Sequence, residues 1–238
     1  MTSLRDSVSF SDVPVRHPGR HEVVDAVLAR GDERIPVVVK KVPLGLRQRW
    51  STPKALRSFA TARALLARGL ATPEPLGAEV VGNESWYVSR KLEGASQIRA
   101  WFLRRDDPRR PDPPLPFSFE QIVEALGEFA RRMHDAGVFF RDFTDGNILV
   151  TGEERTPRLW LVDLNRARVL SARVPTLSRY RELARPGLNR AEDIKLFVSS
   201  YFRPDPAPDS AVLAVRALRL RIVVWDDFKA FARPWRRR

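Results

Sequence analysis

The chain contains no cysteine, so neither disulfide bonds nor zinc sites built on thiolates can form. Its three histidines, His17, His21 and His134, lack the spacing of a histidine-based zinc site. We expect His134, at a predicted helix end, to be a packed or capping residue rather than a catalytic base. The longest apolar runs, such as residues 222–225, are too short to span a bilayer, and the opening residues lack the pattern of a secretory signal. These absences fit a cytoplasmic protein.

Acidic residues are in short supply relative to basic ones, which gives a formal net charge of +13. The basic residues cluster between Arg104 and Arg110 and in the tail "RPWRRR". Clustered positive charge predicts a polyanionic partner, which could be an anionic membrane, a phosphorylated substrate or nucleic acid, although it can also serve solubility alone. A plain nucleic-acid-binding module is the least favoured of these, because no recognised binding motif accompanies the charge.

The first part of the chain predicts a small sheet with one helix packed on it. "HEVVDAVLA" and "IPVVVKKV" predict strands, and "PLGAEVVGNESWYVSR" predicts a hairpin that turns at "GNE". Between them lies a predicted helix with Thr52 as its N-cap, Pro53 at its first position and Gly69 at its stop. Its predicted apolar face is Leu56, Phe59, Ala62 and Leu66.

The second part of the chain is predicted to be mainly helical. After a surface loop, "RRDDPRRPDPPLP", a helix should begin at Ser118, which forms a capping-box pattern with Gln121. Its buried stripe is predicted to be Ile122, Leu126, Phe129 and Met133. "GNILV" and "LWLVD" predict two short strands, and Asn189 is predicted to cap a further helix. Together the two parts predict an α+β fold, with a small sheet lobe followed by a helical lobe.

Four polar residues occur in an order that suits phosphoryl transfer from a nucleotide. Lys40 is predicted to end an aliphatic strand, Asp142 and Asn147 flank a loop after the long helix, and Asp163 is predicted to end the strand "LWLVD", just beyond that loop. Such transfer needs a lysine for the phosphates and oxygen ligands for magnesium, and a carboxylate near the acceptor hydroxyl takes its proton. In this interpretation Lys40 holds the phosphates, Asn147 and Asp163 bind the metal, and Asp142 faces the acceptor.

Each of these residues also has a structural interpretation. Lys40 could protect an edge strand from aggregation. Asp142, Thr144 and Asn147 could satisfy backbone groups of a turn, and Asp163 could cap the segment after it. The order of all four favours the site.

The segments "MHDAGVFFRDFTDGNILV", "RLWLVDLNRARV" and "LLARGLATPEPLG" together resemble the lipopolysaccharide kinase family, which includes the Kdo and inner-core heptose kinases. The similarity runs from about Val37 to about Arg168. It implies a protein-kinase-like two-lobed fold, with a nucleotide-binding lobe over residues 1–92 and a catalytic helical lobe over residues 93–238.

The resemblance implies ATP-dependent phosphorylation of a sugar hydroxyl on the lipopolysaccharide core, at the cytoplasmic face of the inner membrane. Asp142 would be the catalytic residue, Asn147 and Asp163 the magnesium ligands, and Lys40 the phosphate-binding lysine. "SRKLEG" would link the lobes near the nucleotide base, which makes Glu93 a candidate cofactor-binding residue. The basic surface would contact anionic lipid and the phosphorylated glycolipid acceptor.

The sequence also departs from the kinase pattern. Kinase-like folds pair the strand lysine with a glutamate on the first-lobe helix, but residues 54–68 contain no carboxylate, and Ser58 aligns at that place. Phe140 replaces a histidine, Asn165 replaces a glycine, and Thr144 stands where Ser/Thr protein kinases carry lysine. No glycine-rich phosphate loop is visible. A kinase with another acceptor, such as a small molecule or a protein in the manner of RIO kinases, a weak pseudokinase, and a non-catalytic nucleotide- or membrane-binding module remain alternatives.

Overall fold

The computed structural model describes residues 3–10, 21–45, 51–152 and 156–232. The chain forms two compact units. The first consists of Met1–Gly94 together with Leu161–Arg166, and the second of Ala95–Trp160 together with Ala167–Arg238. The basic tail at residues 233–238 and the polar turn at residues 153–155 lie outside the described residues.

The first unit is a five-stranded antiparallel sheet with a helix packed on it. The sheet order is β1-β2-β3-β5-β4. Its elements are α1 (Leu4–Ser7), β1 (Val8–Phe10), β2 (Glu22–Arg30), β3 (Glu33–Pro43), α2 (Lys54–Ala67), β4 (Pro75–Val81) and β5 (Glu84–Arg90). The predicted strands and hairpin are confirmed, and Gly82 at the hairpin turn adopts φ +59°, which glycine accepts without steric cost. The sheet core includes Val37, Val39 and Val88, all without solvent exposure.

Helix α2 begins at Lys54, one residue later than predicted. Pro53 occupies the N-cap position and no side chain caps the helix, so the prediction for Thr52 is wrong. Gly69 ends the helix with φ +71°, as predicted. The buried face consists of Ala55, Ser58, Ala62 and Leu65. Leu66, predicted to be buried, is 40% exposed, because the helix presents the adjacent row of residues to the sheet.

The second unit is built mainly of helices, with short strand pairs beside them. Its elements are β6 (Ser96–Gln97), α3 (Arg99–Asp106), α4 (Phe119–Asp135), β7 (Val138–Phe140), β8 (Ile148–Thr151), β9 (Arg158–Leu161), β10 (Ala167–Val169), α5 (Thr176–Leu183), α6 (Ala191–Phe202) and α7 (Asp209–Ala232). Strands β6, β8 and β9 form one sheet, and β7 pairs with β10. None of the described helices is both long and apolar enough to cross a membrane.

Helix α4 forms the core of this unit. Both bonds of the predicted capping box between Ser118 and Gln121 are present. The predicted stripe is confirmed, since every one of its four residues is buried: Ile122, Leu126, Phe129 and Met133. Gly127 lies where α4 packs on α6, and a Cβ atom there would meet the Phe197 carbonyl oxygen at 2.7 Å.

Two predictions about helix boundaries are wrong. Asn189 does not cap α6, since Arg190 holds the N-cap position and the Asn189 amide instead donates to Asp106 Oδ2. The predicted loop after α3 begins at Asp107 rather than Arg104, because Arg104, Arg105 and Asp106 continue the helix. Arg105 is held there by an ion pair with Asp193 at 3.0 Å.

Candidate active site

Lys40 lies on β3, which pairs with β2 on one side and β5 on the other. The strand is therefore central, and the alternative in which Lys40 protects a sheet edge is wrong. The Lys40 side chain is 15% exposed and its Nζ lies 2.6 Å from Asp163 Oδ1. An ammonium group in this setting can bind an anionic oxygen while its stem stays packed.

Asp163 follows strand β9 and has an unusual backbone conformation. Its φ is +57°, which makes it the one non-glycine residue of the described chain with a positive φ. The left-handed region costs a non-glycine residue about 1–2 kcal/mol, although aspartate tolerates it better than most. Such strain is often found at functional sites. The conformation allows Asn165 Nδ2 to donate to Asp163 Oδ1 over 2.8 Å.

Ser58 and Asn165 are directly bonded. The Ser58 hydroxyl, buried on α2, donates to Asn165 Oδ1 over 2.9 Å. The segment that carries Asp163 is also tied to the first unit by the Thr72 hydroxyl, which donates to the Leu161 carbonyl over 2.8 Å. Ser58 and Asn165 both depart from the kinase pattern, and the structure brings these two side chains into direct contact.

In the second unit, Asp142 lies on a tight loop after β7. The amides of Thr144 and the Asn147 side chain both donate to the Asp142 carbonyl, at 2.7 and 2.9 Å. Phe140 and Phe143 are fully buried on either side of it, while Asp142 is half-buried. The loop thus keeps its two aromatic residues in the core, while Asp142 between them stays partly exposed. Of the turn residues, Asn147 satisfies a backbone carbonyl with its side chain, as the structural interpretation expected for it, and this is compatible with a site.

The same loop is fixed from α3 and β6. Arg99 Nε lies 3.0 Å from Asp145 Oδ2, and Gln97 Nε2 donates to the Gly146 carbonyl over 2.9 Å. These contacts hold the turn just before Asn147. A loop that carries reacting groups gains precision when neighbouring side chains lock its backbone.

A buried carboxyl group that the sequence did not single out supports the strand that leads into the loop. Glu182 on α5 is completely buried, and its Oε1 accepts the Phe140 amide over 2.6 Å. Its Oε2 lies 3.4 Å from Nε2 of His134, which is also completely buried. His134 Nδ1 lies 3.0 Å from the Tyr201 hydroxyl, which in turn accepts a hydrogen bond from Arg179. The prediction that His134 is a packed residue is confirmed.

Burial keeps this histidine and carboxyl neutral. Desolvation raises the pKa of Glu182 to about 9, against the lowering effects of the Phe140 amide and Arg185. Desolvation and the nearby Arg179 lower the pKa of His134 to about 3. Although the two side chains are close enough for an ion pair, both shifts favour the neutral forms, and the 3.4 Å separation adds no strong bond to oppose them.

Glu93 lies in an exposed turn with Gly94, whose φ is +64°. Within the described ranges, no hydrogen bond or ion pair fixes its side chain. The role of Glu93 toward a nucleotide stays a prediction.

The donor set suits a magnesium-bound nucleotide. Magnesium prefers carboxylate and amide oxygens and keeps waters and substrate phosphates as further ligands. Asp163 offers such a carboxylate: the shortest approach of the Lys40 ammonium and the hydrogen bond from Asn165 both fall on its Oδ1. The described residues hold no cluster of three or more His, Cys, Asp or Glu side chains that could bind a metal without substrate. That absence is compatible with a metal held in part by phosphates.

Comparisons with known proteins identify the family and the fold. The model of the lipopolysaccharide kinase (Kdo/WaaP) family matches residues 39–194, which is well over half of the chain. A solved structure described as WaaP in complex with acyl carrier protein is similar at 24% identity and a TM-score of 0.53. The similarity covers 90% of this chain and 86% of that one, and it confirms the predicted kinase-like α+β fold. No curated protein matches the chain.

Proposed function

Since the chain belongs to the lipopolysaccharide kinase (Kdo/WaaP) family, we propose that it transfers the γ-phosphate of ATP to a sugar hydroxyl of the lipopolysaccharide core. Membership makes it a phosphotransferase, and the acceptor sugar, Kdo or heptose, is part of the proposal. The observation that carries it is the 2.6 Å pair between Lys40 and Asp163, because an ammonium and a metal-binding carboxylate are the two groups that hold a nucleotide triphosphate.

Each candidate residue has one task in this proposal. Lys40 binds the phosphates of ATP, and Asp163 and Asn147 are ligands for Mg²⁺. Asp142 accepts the proton of the acceptor hydroxyl as the phosphoryl group is transferred. Glu93 contributes to nucleotide binding. Bound Mg²⁺ would neutralise charge on the phosphates, and the residues of the chain orient the groups that react.

A sugar acceptor fits the loop better than a peptide does. Thr144 stands two residues after Asp142, where Ser/Thr protein kinases carry a lysine, and no "APE"-like segment follows Asp163. A compact acceptor does not need a platform for peptide docking. This argument favours a glycolipid over the RIO-like alternative.

The first test is transfer of labelled γ-phosphate from Mg-ATP to a lipopolysaccharide extract. Asp142→Asn removes the proton acceptor while keeping the shape of the side chain, and we expect label on the glycolipid to disappear. The matched control is Asp112→Asn, which removes the same charge from an exposed side chain and should leave transfer unchanged.

Folded wild type that labels no glycolipid would count against the sugar acceptor. Binding of Mg-ATP by that protein would then favour another acceptor, and absence of binding would favour a module without chemistry. Label that persists in Asp142→Asn would show that another group takes the proton.

A second part of the proposal is contact with an anionic membrane, at the cytoplasmic face of the inner membrane. Helix α7 buries Ala211 and Val215 against its own unit, but its opposite side is also apolar. That side consists of Leu213, Leu220, Val224 and Phe228, each more than half exposed and spaced to share one helix face. We call these four residues the α7 stripe.

Arginines lie beside the α7 stripe. Arg216 and Arg221 are exposed on the same helix, and Arg181, Arg185 and Arg221 line one groove together with Leu220 and Val224. An apolar helix face bordered by arginines is typical of helices that lie in a membrane interface, where the apolar side chains enter the acyl boundary and the guanidinium groups meet lipid phosphates. A lipid-linked acceptor would be reached at such a surface.

Sedimentation with vesicles tests the membrane contact. Wild type should bind phosphatidylglycerol vesicles and not phosphatidylcholine vesicles, and Leu220→Ser with Val224→Ser should reduce binding at least tenfold. Val80→Ser, which changes an exposed apolar side chain on β4, is the control. Equal binding by all variants would contradict the proposal, and so would binding of purified acyl carrier protein without vesicle binding. The latter result would assign the α7 stripe to a protein partner such as the one in the similar structure.

A further inference from the structure

Lys40 lacks the acidic partner that kinase-like enzymes place on the first-lobe helix, yet its ammonium is not unpaired. Its charge is met directly by Asp163 over 2.6 Å. In the usual arrangement the helix glutamate fixes the lysine and so couples the helix to the phosphates. Here α2 must be coupled to the site by other contacts, and a continuous series of hydrogen bonds and an ion pair connects the two.

This series consists of three consecutive contacts, each of which shares a residue with the next. Ser58 Oγ on α2 donates to Asn165 Oδ1 over 2.9 Å. Asn165 Nδ2 donates to Asp163 Oδ1 over 2.8 Å. Asp163 Oδ1 then meets the Lys40 ammonium. All four residues belong to the first unit, so the series does not depend on the arrangement of the two units.

The chemistry of Asn165 suits its place in this series. An asparagine amide is both acceptor and donor, so one side chain can receive the serine hydroxyl and present an N–H to a carboxylate. Glycine has no side chain for either bond, and aspartate would offer only acceptors and place a second negative charge beside Asp163. Ser58 is equally specific, because it supplies a short donor at a position with 5% exposure, where a glutamate would have to be desolvated.

We propose that Ser58 and Asn165 are positioning residues that replace the missing helix glutamate: Ser58 holds Asn165, Asn165 orients the Asp163 carboxylate, and Asp163 fixes the Lys40 ammonium. The shortest contact of Lys40 and the bond from Asn165 both fall on Oδ1, so we assign the other oxygen, Oδ2, to Mg²⁺. The two departures from the kinase pattern, Ser58 and Asn165, therefore act together in place of the one missing glutamate. This inference rests on the proposed nucleotide chemistry and not on the identity of the acceptor.

The test measures the dissociation constant of a non-hydrolysable ATP analogue with and without Mg²⁺. Asn165→Ala frees the Asp163 carboxylate to rotate, and we expect it to weaken Mg²⁺-dependent binding about tenfold, as loss of an outer partner of a metal ligand typically does. Binding without Mg²⁺ should change little. Ser58→Ala should give a smaller effect of the same kind, and Ser58→Thr, which keeps the hydroxyl, should restore it.

Thr72→Val is the matched control. It removes another hydroxyl that holds the same segment, through the Leu161 carbonyl, but does not touch the Asp163 carboxylate. We expect it to lower the melting temperature and leave the Mg²⁺ dependence unchanged. In the double variant of Ser58→Ala with Asn165→Ala, the serine change should add nothing to the asparagine change, because both act through one series of contacts.

Additive effects on Mg²⁺-dependent affinity, or variants that bind Mg²⁺ and analogue as wild type does, would overturn the inference. Failure to phosphorylate lipopolysaccharide while Mg²⁺-dependent binding is intact would count against the proposed acceptor alone. Wild type that binds no Mg-nucleotide would overturn both proposals.

Discussion

The Phe140 amide donates to Glu182 Oε1 over 2.6 Å, and both residues are completely buried. This bond ties helix α5 to the strand that leads into the Asp142 loop. A buried carboxyl that accepts a backbone amide fixes the strand end more firmly than an apolar side chain could, because the amide would otherwise be unsatisfied. Glu182 therefore belongs to the support of the loop, and its protonation affects the stability of the whole unit.

Stability should fall with rising pH because of Glu182. Its pKa is about 9 in the folded protein and its ordinary value is 4.5. Between these values the unfolded chain releases a proton that the folded chain retains, which costs up to about 1.4 kcal/mol of unfolding free energy per pH unit. Glu182→Gln keeps an acceptor for Phe140 and removes the titration. Urea denaturation at pH 6, 7.5 and 9 should show a shallower decline for the variant, and equal slopes would contradict the assignment.

The opposite sign applies to His134. Its pKa is lowered from 6.5 to about 3. Between these pH values the unfolded chain binds a proton at this histidine and the folded chain does not. Stability should therefore fall again as the solution becomes acidic. In His134→Gln the acid-side loss should be reduced, measured by urea denaturation at pH 6.5, 5.5 and 4.5. A variant that loses stability on acidification as steeply as wild type would show that other groups are responsible.

Exchange of Lys40 for methionine should abolish most phosphate transfer. Methionine keeps the packed stem but removes the charge that faces Asp163. Loss of one preorganised charged donor typically lowers kcat about 100-fold or more. The adjacent Lys41 pairs with Glu22 at 2.9 Å and provides the control, since Lys41→Met should retain activity. Equal loss in both variants would indicate damage to the sheet.

Gly127→Ala should destabilise the second unit strongly. The added Cβ would lie 2.7 Å from the Phe197 carbonyl oxygen and 2.8 Å from the Tyr201 amide nitrogen, and backbone atoms cannot move aside cheaply. We expect a loss of about 2–3 kcal/mol of unfolding free energy. The control is Gly45→Ala, where a Cβ would meet nothing within 4 Å. Thermal denaturation of both variants tests this prediction. An unchanged midpoint for Gly127→Ala would refute close packing of α4 on α6.

Removal of the α4 cap should cost about 1 kcal/mol. Ser118→Ala deletes the acceptor for the Gln121 amide, whereas Ser118→Asp keeps one. We therefore expect urea denaturation to show lower stability for the alanine variant and near wild-type stability for the aspartate variant. Equal loss in both would mean that residue 118 acts through something other than its cap.

The sequence predicted the elements with strong local signals. The β-branched run before Lys40 and the stripe from Ile122 to Met133 have clear periods, and Ser118 has a reciprocal partner three residues away. Predictions at helix starts were less secure. Thr52 and Asn189 are good capping residue types, but neither caps its helix. Asn189 bonds Asp106 instead, and Pro53 takes the N-cap position of α2.

The candidate site was only partly accessible from sequence. Asp142 and Asn147 are near in the chain, so their shared loop could be expected. The bond between Ser58 and Asn165 joins positions far apart in the chain, and no local pattern encodes such a pairing. Glu182 was missed for a similar reason, because a carboxylate in a polar segment carries no local signal that it is buried.

Residues 161–166 belong to the first unit although they follow residues 95–160 of the second unit in the chain, and this affects folding during synthesis. During synthesis the first 94 residues emerge long before Asn165, and until then the Ser58 hydroxyl has no Asn165 to accept its hydrogen bond. The N-terminal unit therefore cannot complete its native contacts on the ribosome ahead of the rest, as many N-terminal domains do. A chain truncated after Gly94 should for the same reason be a poor independent folding unit. Because each unit contains two separate stretches of the chain, no single cleavage of the backbone divides one unit from the other.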